Sequence, residues 1–288
     1  MSGKGINMHI SGLVHSLKIP FKIKVSSEIE IDRFVNLFII AGKHITLIDT
    51  GVSGSEKVVF EYLQSIGRKP SEIKTILLTH THPDHIGSVK TIQELTNCKV
   101  YVHAAEQMWL EHIEQQEKER PVPGFQNMVA GSCKADKLLN GNDVLELEND
   151  ITIEVIHCPG HSLGSVAYLF KQQNALFSGD IIPVKNDVPI YDNYQQSIKS
   201  LEKLENMPYP NYLLSSWDEP KLGDEVELAI SDGFEQLYSV YAAWLEAKKS
   251  NSDFCEPDIA IKVLQNIGMP SKFVNPLFLR AIKSHTIK

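Results

Sequence analysis

The pattern of apolar and polar positions in the first two thirds of the chain is typical of an α/β protein, because short β-rich runs alternate with amphipathic segments. Two such runs, 34–40 and 44–48, flank a polar turn at 41–43 and predict a β-hairpin. Ser53 and Glu56 then have the spacing of a capping box, which predicts the start of a helix.

Polar loops follow three of the predicted strands. The apolar run 75–79 leads into the segment THTHPDH, the strand 151–156 leads into CPGHS, and the run 175–178 leads into GD. In α/β proteins, reactive groups are usually placed where strands end and loops begin. These loops are therefore the candidate positions for the chemistry of this protein.

The last part of the chain is predicted to be mostly helical, and no shift in composition marks a linker before it. We therefore expect one domain, with a core over 1–222 and a helical extension over 223–288 that packs on this core. Within the core, a charge-rich helix is predicted over 104–119. The stretch 121–140 has no hydrophobic period and is expected to form a loop that covers the functional cleft.

The chain has 288 residues, with 36 acidic and 28 basic side chains and a formal net charge of −8. This charge argues against a nucleic-acid partner, because such proteins neutralise phosphates with a basic face. No apolar run approaches the ~20 residues that cross a membrane, the N-terminus lacks the apolar region of a signal peptide, and no C-x-x-C pair occurs. We therefore expect a cytoplasmic protein with reduced thiols, a small-molecule substrate and no membrane partner.

The segment His80-x-His82-x-Asp84-His85 is the strongest chemical signal in the chain. Imidazole nitrogens suit zinc and iron, and a carboxylate adds a hard oxygen ligand. Two histidines at positions i and i+2 of an extended segment point to the same side, whereas Asp84 and His85 follow Pro83 and can face a neighbouring position. This loop is therefore expected to supply ligands to one or two metal ions.

Two further residues complete this candidate metal site. His161 lies in a loop after a predicted strand and would add a third nitrogen to those of His80 and His82. Asp180 follows another predicted strand, and its carboxylate would bridge two ions. Each is a weak signal alone, and the first loop gives both of them a role.

The sequence resembles the metallo-β-lactamase superfamily of hydrolases. The matching segments are LIDTG (47–51), THTHPDHIGS (79–88), CPGHSLGSV (158–166) and FSGDII (177–182), in the order and spacing of the family over about residues 34–220. The resemblance implies an αββα sandwich, here with extra C-terminal helices, in which metals bind in a cleft at one edge of the two sheets.

The resemblance also implies the roles of individual residues. The implied ligands are His80, His82 and His161 for the first ion, Asp84 and His85 for the second, and Asp180 as a bridge. Asp84 would also accept or relay a proton during catalysis. Asp49 resembles a buried carboxylate of the family that orients a metal-binding histidine. Zinc is the expected cofactor, with one or two ions per chain, and iron or manganese are the alternatives.

One position departs from the family pattern. Relatives supply a final histidine to the second ion from a strand-end motif late in the fold, and Trp217 stands at the matching place. An indole ring has no lone pair for a metal, so the second site is expected to lack one ligand unless Asp218 replaces it. Trp217 is instead expected to form an apolar wall beside the substrate, and Tyr191 or Tyr194 to donate a hydrogen bond to an oxyanion.

The implied function is metal-dependent hydrolysis, in which a metal-bound hydroxide attacks a small ester, thioester or lactone. Two alternatives stay open. A single iron held by two histidines and Asp180 would suit a dioxygenase of the persulfide-dioxygenase type. A phosphodiesterase or nuclease, as among tRNA-processing relatives, is the other, and the negative charge of the chain counts against it.

Overall fold

The computed structural model describes residues 7–24, 30–250 and 255–286. These residues form two β-sheets that pack face to face. The strands of the first sheet, in spatial and chain order, are β1 (Asn7–Ser11), β2 (Val14–Lys24), β3 (Glu30–Ala41), β4 (Ile45–Ile48), β5 (Ile73–Leu77), β6 (Lys99–His103) and β7 (Lys137–Leu139). The strands of the second sheet are β8 (Val144–Glu148), β9 (Ile151–His157), β10 (Val166–Phe170), β11 (Ala175–Gly179), β12 (Tyr212–Ser215) and β13 (Lys221–Leu222).

Helices cover both outer faces of this pair of sheets. Those described are α1 (Ser55–Ser65), α2 (Pro83–Ile86), α3 (Val89–Thr96), α4 (Gln107–Glu111), α5 (Ile113–Glu119), α6 (Phe125–Met128), α7 (Tyr194–Glu205), α8 (Asp224–Ser250), α9 (Glu256–Asn266) and α10 (Pro276–Ser284). In the described part of the chain, no helix combines the length and the apolar character needed to cross a bilayer.

The first sheet changes from antiparallel to parallel pairing at β4. The predicted hairpin is confirmed, since β3 and β4 pair antiparallel with Phe38 opposite Ile48. The strands β4 to β7 run parallel, so their carboxyl ends meet at one edge. The second sheet has the order β13-β12-β11-β10-β9-β8 and is antiparallel except between β11 and β12.

The alternation of side chains along the strands explains the layers. In β4, Ile48 packs between the two sheets, whereas Leu47 packs against the outer helices. Between the sheets, Phe38 meets Phe177 with ring centres 5.3 Å apart. Because every strand residue points to one of two faces, each sheet buries one face on the other sheet and one on helices. The predicted αββα sandwich is confirmed.

The C-terminal helices pack on the core rather than apart from it. Val226 and Ile230 of α8 join Leu201 of α7 in the hydrophobic cluster that covers the outer face of the second sheet. The helices α9 and α10 add a further cluster with α8 around Trp244 and Phe278. Helices therefore follow the two sheets and pack on them, whereas the division of the chain into a core over 1–222 and an extension over 223–288 stays a prediction.

Two local predictions were wrong. Ser53 does not cap α1, because Gly54 adopts φ 91° and the helix begins at Ser55, while the Glu56 carboxylate accepts a hydrogen bond from Ser88 Oγ at 2.9 Å. The single helix expected over 104–119 divides into α4 and α5, because the residue between them has a non-helical backbone with φ −137° and ψ 73°.

Gly87 lies where the histidine-rich loop passes close to other backbone segments. A Cβ added there would lie 2.3 Å from the carbonyl carbon of Val52 and 2.4 Å from the carbonyl oxygen of Met128. Backbone atoms cannot move aside as side chains do, so we expect Gly87→Ala to lower the free energy of unfolding by about 1–3 kcal/mol. Gly233→Ala is the control, because its nearest atom is a side-chain methyl of Ile182 at 3.0 Å. Equal losses of both variants in urea denaturation would contradict the expectation.

Candidate active site

The histidine-rich loop leaves the first sheet at the carboxyl end of β5. The backbone is extended at His82, and Pro83 begins α2. The rings of His80 and His82 therefore lie edge to face, with centres 4.4 Å apart. The turn of α2 places Asp84 and His85 next to them. All four functional side chains of the loop are buried, so this short segment concentrates polar groups inside the molecule.

Three histidines form the first group of converging donor atoms. His82 Nδ1 lies 2.8 Å from His161 Nε2, and the rings of His80 and His161 have centres 4.8 Å apart. One potential ligand atom from each histidine lies within 4.8 Å of the others. The structure thus brings together the three residues that were predicted to hold the first ion.

A second group combines His80 and His85 with Asp180. Asp180 Oδ1 lies 3.4 Å from His85 Nε2, and its Oδ2 lies 3.4 Å from His161 Nε2. This carboxylate therefore stands between the two groups, where a bridging ligand would be needed. Asp84 Oδ2 lies 3.5 Å from His85 Nε2, which places it beside the second group.

Buried ligand atoms in this cluster have no hydrogen-bond partner among the described residues. These atoms are His80 Nε2, His82 Nε2, His85 Nε2, Asp84 Oδ2 and Asp180 Oδ1. An unsatisfied buried polar atom costs roughly 1–3 kcal/mol, and such atoms are rare in native proteins. Imidazole nitrogens and carboxylate oxygens are usual ligands of divalent metals. The donor set therefore fits a metal centre.

Burial and charge prepare the histidines for metal binding. Burial lowers the pKa of His80 and His82 well below the usual value, and neighbouring positive groups add to this effect, so both are neutral at neutral pH. Burial also disfavours a charge on His85, but nearby carboxylates, Asp180 foremost, raise the pKa of His85 well above the usual value. The surroundings of His85 therefore favour a cation.

Asp49 anchors the histidine-rich loop through hydrogen bonds. It follows β4 with φ 61° and is 1% exposed. Its Oδ2 accepts hydrogen bonds from His85 Nδ1 at 2.9 Å and from Thr79 Oγ1 at 2.7 Å, and its Oδ1 accepts one from the Thr79 backbone N–H at 2.8 Å. The predicted contact between a buried Asp49 and a histidine of the site is present. This contact leaves His85 Nε2 free to face the carboxylates of the cluster.

Glu106 is a buried carboxylate that no sequence motif indicated. Its Oε2 accepts hydrogen bonds from the hydroxyl and the backbone N–H of Thr81, and its Oε1 accepts from Ser162 Oγ at 2.7 Å and from the Gly164 backbone N–H at 2.8 Å. Glu106 therefore joins the histidine-rich loop to the loop of His161. In the sequence it stands in a charge-rich segment, where acidic residues are usually exposed.

Trp217 follows β12 and lines a cavity beside the metal cluster. Its ring lies 6.2 Å from the ring of Phe21 and 6.5 Å from that of Phe34, so the expected apolar wall is present. Burial alone would raise the pKa of Asp180, but His85 lowers it, with a smaller contribution from the Trp217 indole N–H.

The structure corrects three predicted contacts. Asp218 Oδ2 pairs with Lys221 Nζ at 3.1 Å, so this carboxylate does not replace the missing ligand. The hydroxyl of Tyr191 lies 2.7 Å from His285 Nε2, and Tyr194 packs in the hydrophobic cluster of α7 and α8. None of the three lines the cavity beside the metal cluster. Helices from distant parts of the sequence enclose the two tyrosines.

The candidate metal centre borders a cavity of about 200 Å³. His82, Asp84, His161 and Asp180 contribute to its wall, and most of its other lining side chains are apolar. Part of the stretch 121–140 also lines this cavity, as expected, although the stretch contains α6 and the strand β7 in addition to loops. The cavity therefore joins a polar cluster to an apolar chamber.

Comparison with known proteins agrees with this arrangement. The family model described as "Metallo-beta-lactamase superfamily" matches residues 31–216. The chain is 31% identical over 146 residues to a probable metallo-hydrolase, YqgX, of Bacillus subtilis, and the match covers 50% of this chain and 64% of that protein, just under two thirds of its length. It is 26% identical to a hydroxyacylglutathione hydrolase of Hyphomonas neptunium, with 76% of this chain and 73% of that protein covered.

Solved structures show the same fold. A beta-lactamase domain protein from Burkholderia ambifaria superposes with a TM-score of 0.72 at 18% identity, and the superposition covers 99% of this chain and 88% of that chain. At this level of identity, the likeness concerns the arrangement of helices and strands.

The hydrogen bond from His85 to Asp49 is expected to contribute to metal affinity. We expect Asp49→Ala to weaken the binding of metal by roughly 10–100-fold, because the freed imidazole loses its orientation and part of its basicity. The control is Asp136→Ala, since Asp136 pairs with Lys99 at 2.8 Å at the start of β6. Competition with a chromophoric chelator measures both affinities. Equal affinities in the two variants would refute a role for Asp49.

Trp217 is expected to leave the second ion without one protein ligand. Trp217→His should therefore tighten the binding of a second zinc equivalent, since an imidazole would supply the missing nitrogen. Trp217→Phe is the control, because it changes the ring without adding a ligand. Calorimetric zinc titration of the three proteins gives the stoichiometry and affinity. Two equally tight sites in the unmodified protein, with no gain from the added histidine, would contradict this interpretation.

Proposed function

The chain belongs to the metallo-beta-lactamase superfamily, and on that premise we propose that it is a metal-dependent hydrolase of a small ester, thioester or lactone. One observation carries the proposal. Buried nitrogen and carboxylate oxygen atoms, without hydrogen-bond partners among the described residues, converge beside a cavity large enough for a small molecule. Such a cluster destabilises the folded protein unless an ion occupies it.

In this proposal the ligands divide as the sequence motifs imply. His80, His82 and His161 would hold the first ion. Three histidine nitrogens are a ligand set that also occurs at catalytic zinc sites. Asp84 and His85 would hold a second ion, and Asp180 would bridge both. Zinc fits the nitrogen-rich set best, with iron or manganese as the alternatives.

A divalent ion held there would lower the pKa of water and polarise a carbonyl oxygen. The residues of the chain do the rest. In this proposal Asp84, which lines the cavity, also accepts the proton of the attacking water and returns it to the leaving group. Asp49 and Glu106 fix the loops that carry the ligands, and the apolar wall that includes Trp217 excludes bulk water from the reacting carbonyl.

The cavity and the relatives support one substrate class within this proposal. A volume of about 200 Å³ with mostly apolar walls suits an acyl group. Among the similar curated proteins, several are named hydroxyacylglutathione hydrolase, and that name denotes cleavage of a thioester. A thioester or a lactone is therefore the first class to assay.

The proposal predicts that metal content and hydrolysis fall together. In the double variant His80→Ala/His82→Ala, bound metal should be largely lost, and turnover of thioester or lactone substrates should fall by about 100-fold or more, because metal assistance is worth several kcal/mol. His9→Ala/His44→Ala is the matched control, since these two histidines lie outside the cluster. Metal analysis and a substrate screen make the comparison.

Two results would overturn the proposal. Full metal content and full activity in the double variant would show that the chemistry lies elsewhere. About one equivalent of iron in the purified protein, with substrate-dependent oxygen uptake and no hydrolysis, would instead assign the site to a dioxygenase.

A further inference from the structure

Arg120 brings a buried positive charge to the cavity wall. It follows α5, is 4% exposed, and lines the cavity together with His82, Asp84, His161 and Asp180. Its Nε is enclosed and has no hydrogen-bond partner among the described residues. Burial lowers the pKa of Arg120, yet a guanidinium keeps its charge in proteins. A buried cation in this position is destabilising unless a nearby anion offsets its charge.

Asp192, the described carboxylate that pairs with Arg120, already has another partner. Asp192 Oδ1 lies 3.7 Å from Arg120 Nε, but it lies only 2.7 Å from Arg280 Nε. A single carboxylate therefore stands between two guanidinium groups and neutralises one of them. Without a further partner, the charge of Arg120 would be costly to bury.

The carboxylates of the metal cluster do not offset the positive charge of Arg120 when metal is bound. Asp84 and Asp180 attract Arg120 in the structure, but both belong to the proposed ligand set. Once their charge is shared with divalent ions, the surroundings of Arg120 become net positive. The place beside the metal centre would then attract a negatively charged group of the substrate.

We propose that Arg120 binds a carboxylate of the substrate, so that the preferred substrate is an acyl thioester or lactone that carries a second, anionic end. This inference rests on the proposed hydrolase function and specifies its substrate. A planar guanidinium suits a planar carboxylate through two parallel hydrogen bonds. One uncompensated cation matches a monoanion better than a phosphate, which carries a charge of about −1.5 to −2.

Other cations at the cavity are less suited to this role. Arg33 also lines it, but its Nη1 pairs with Asp187 Oδ2 at 3.1 Å. Lys272 lines it as well, but it is exposed, so solvent already screens its charge. The two residues therefore provide controls of the same charge, in the same cavity, for a change at Arg120.

Direct binding tests the inference without depending on turnover. The probes are short dicarboxylates, from succinate to adipate, each compared with its monomethyl ester on the zinc-loaded protein by calorimetry. In the unmodified protein, one of the dicarboxylates should bind roughly 10–100-fold more tightly than its ester, because a charge-assisted bidentate contact is gained. Arg120→Gln should abolish this preference, and Arg120→Lys should retain only part of it. Arg33→Gln and Lys272→Gln should leave it intact.

Each result decides a separate question. Equal binding of diacids and esters by the unmodified protein would overturn the inference, whatever the folding of the variants. Loss of the preference in Arg33→Gln or Lys272→Gln, with retention in Arg120→Gln, would also overturn it. Hydrolysis of a matched pair of ω-carboxyacyl and methyl-ester thioesters is followed in parallel. If neither is cleaved while the diacid preference depends on Arg120, the hydrolase proposal fails and the anion site stands.

Discussion

The burial of unpaired ligand atoms is the constraint on which the rest of the structure depends. Within the described part of the chain, atoms of three histidines and two aspartates are buried without a hydrogen-bond partner, and each such atom destabilises the fold unless an ion is present. The loops that carry these residues leave the edges of two sheets. They keep their shape because Asp49 and Glu106 accept hydrogen bonds from them. The cluster thus lowers the stability of the folded protein without an ion, and it is ready to bind a divalent cation.

The parts that could be predicted from the sequence depend on short-range patterns. The αββα layers follow from side chains that alternate along each strand, such as Leu47 and Ile48. The metal cluster was recognisable because His80 to His85 lie within one loop and because the other fragments match a family in order and spacing. The contact of Asp49 was predicted by the same resemblance, and the structure supplies its partner, His85.

The parts that could not be predicted depend on contacts between residues far apart in the chain. Glu106 joins two loops that are separated by about 80 residues, and an isolated glutamate gives no hint of this. The charge of Arg120 is another such case, because Asp192 and Arg280, which surround it, come from distant parts of the chain. Tyr191 was misassigned for the same reason, because its partner His285 comes from the last helix region. Local sequence therefore indicated the metal-binding chemistry, whereas the surroundings that select a substrate required the fold.

The most direct test of this account is a crystal structure of the protein as purified, with anomalous scattering recorded at the absorption edge of the metal that it contains. We expect an anomalous peak about 2.0–2.1 Å from one nitrogen each of His80, His82 and His161, with Asp180 beside it. Crystals of catalytically active protein with no anomalous peak between these residues, or with the metal bound elsewhere, would contradict it.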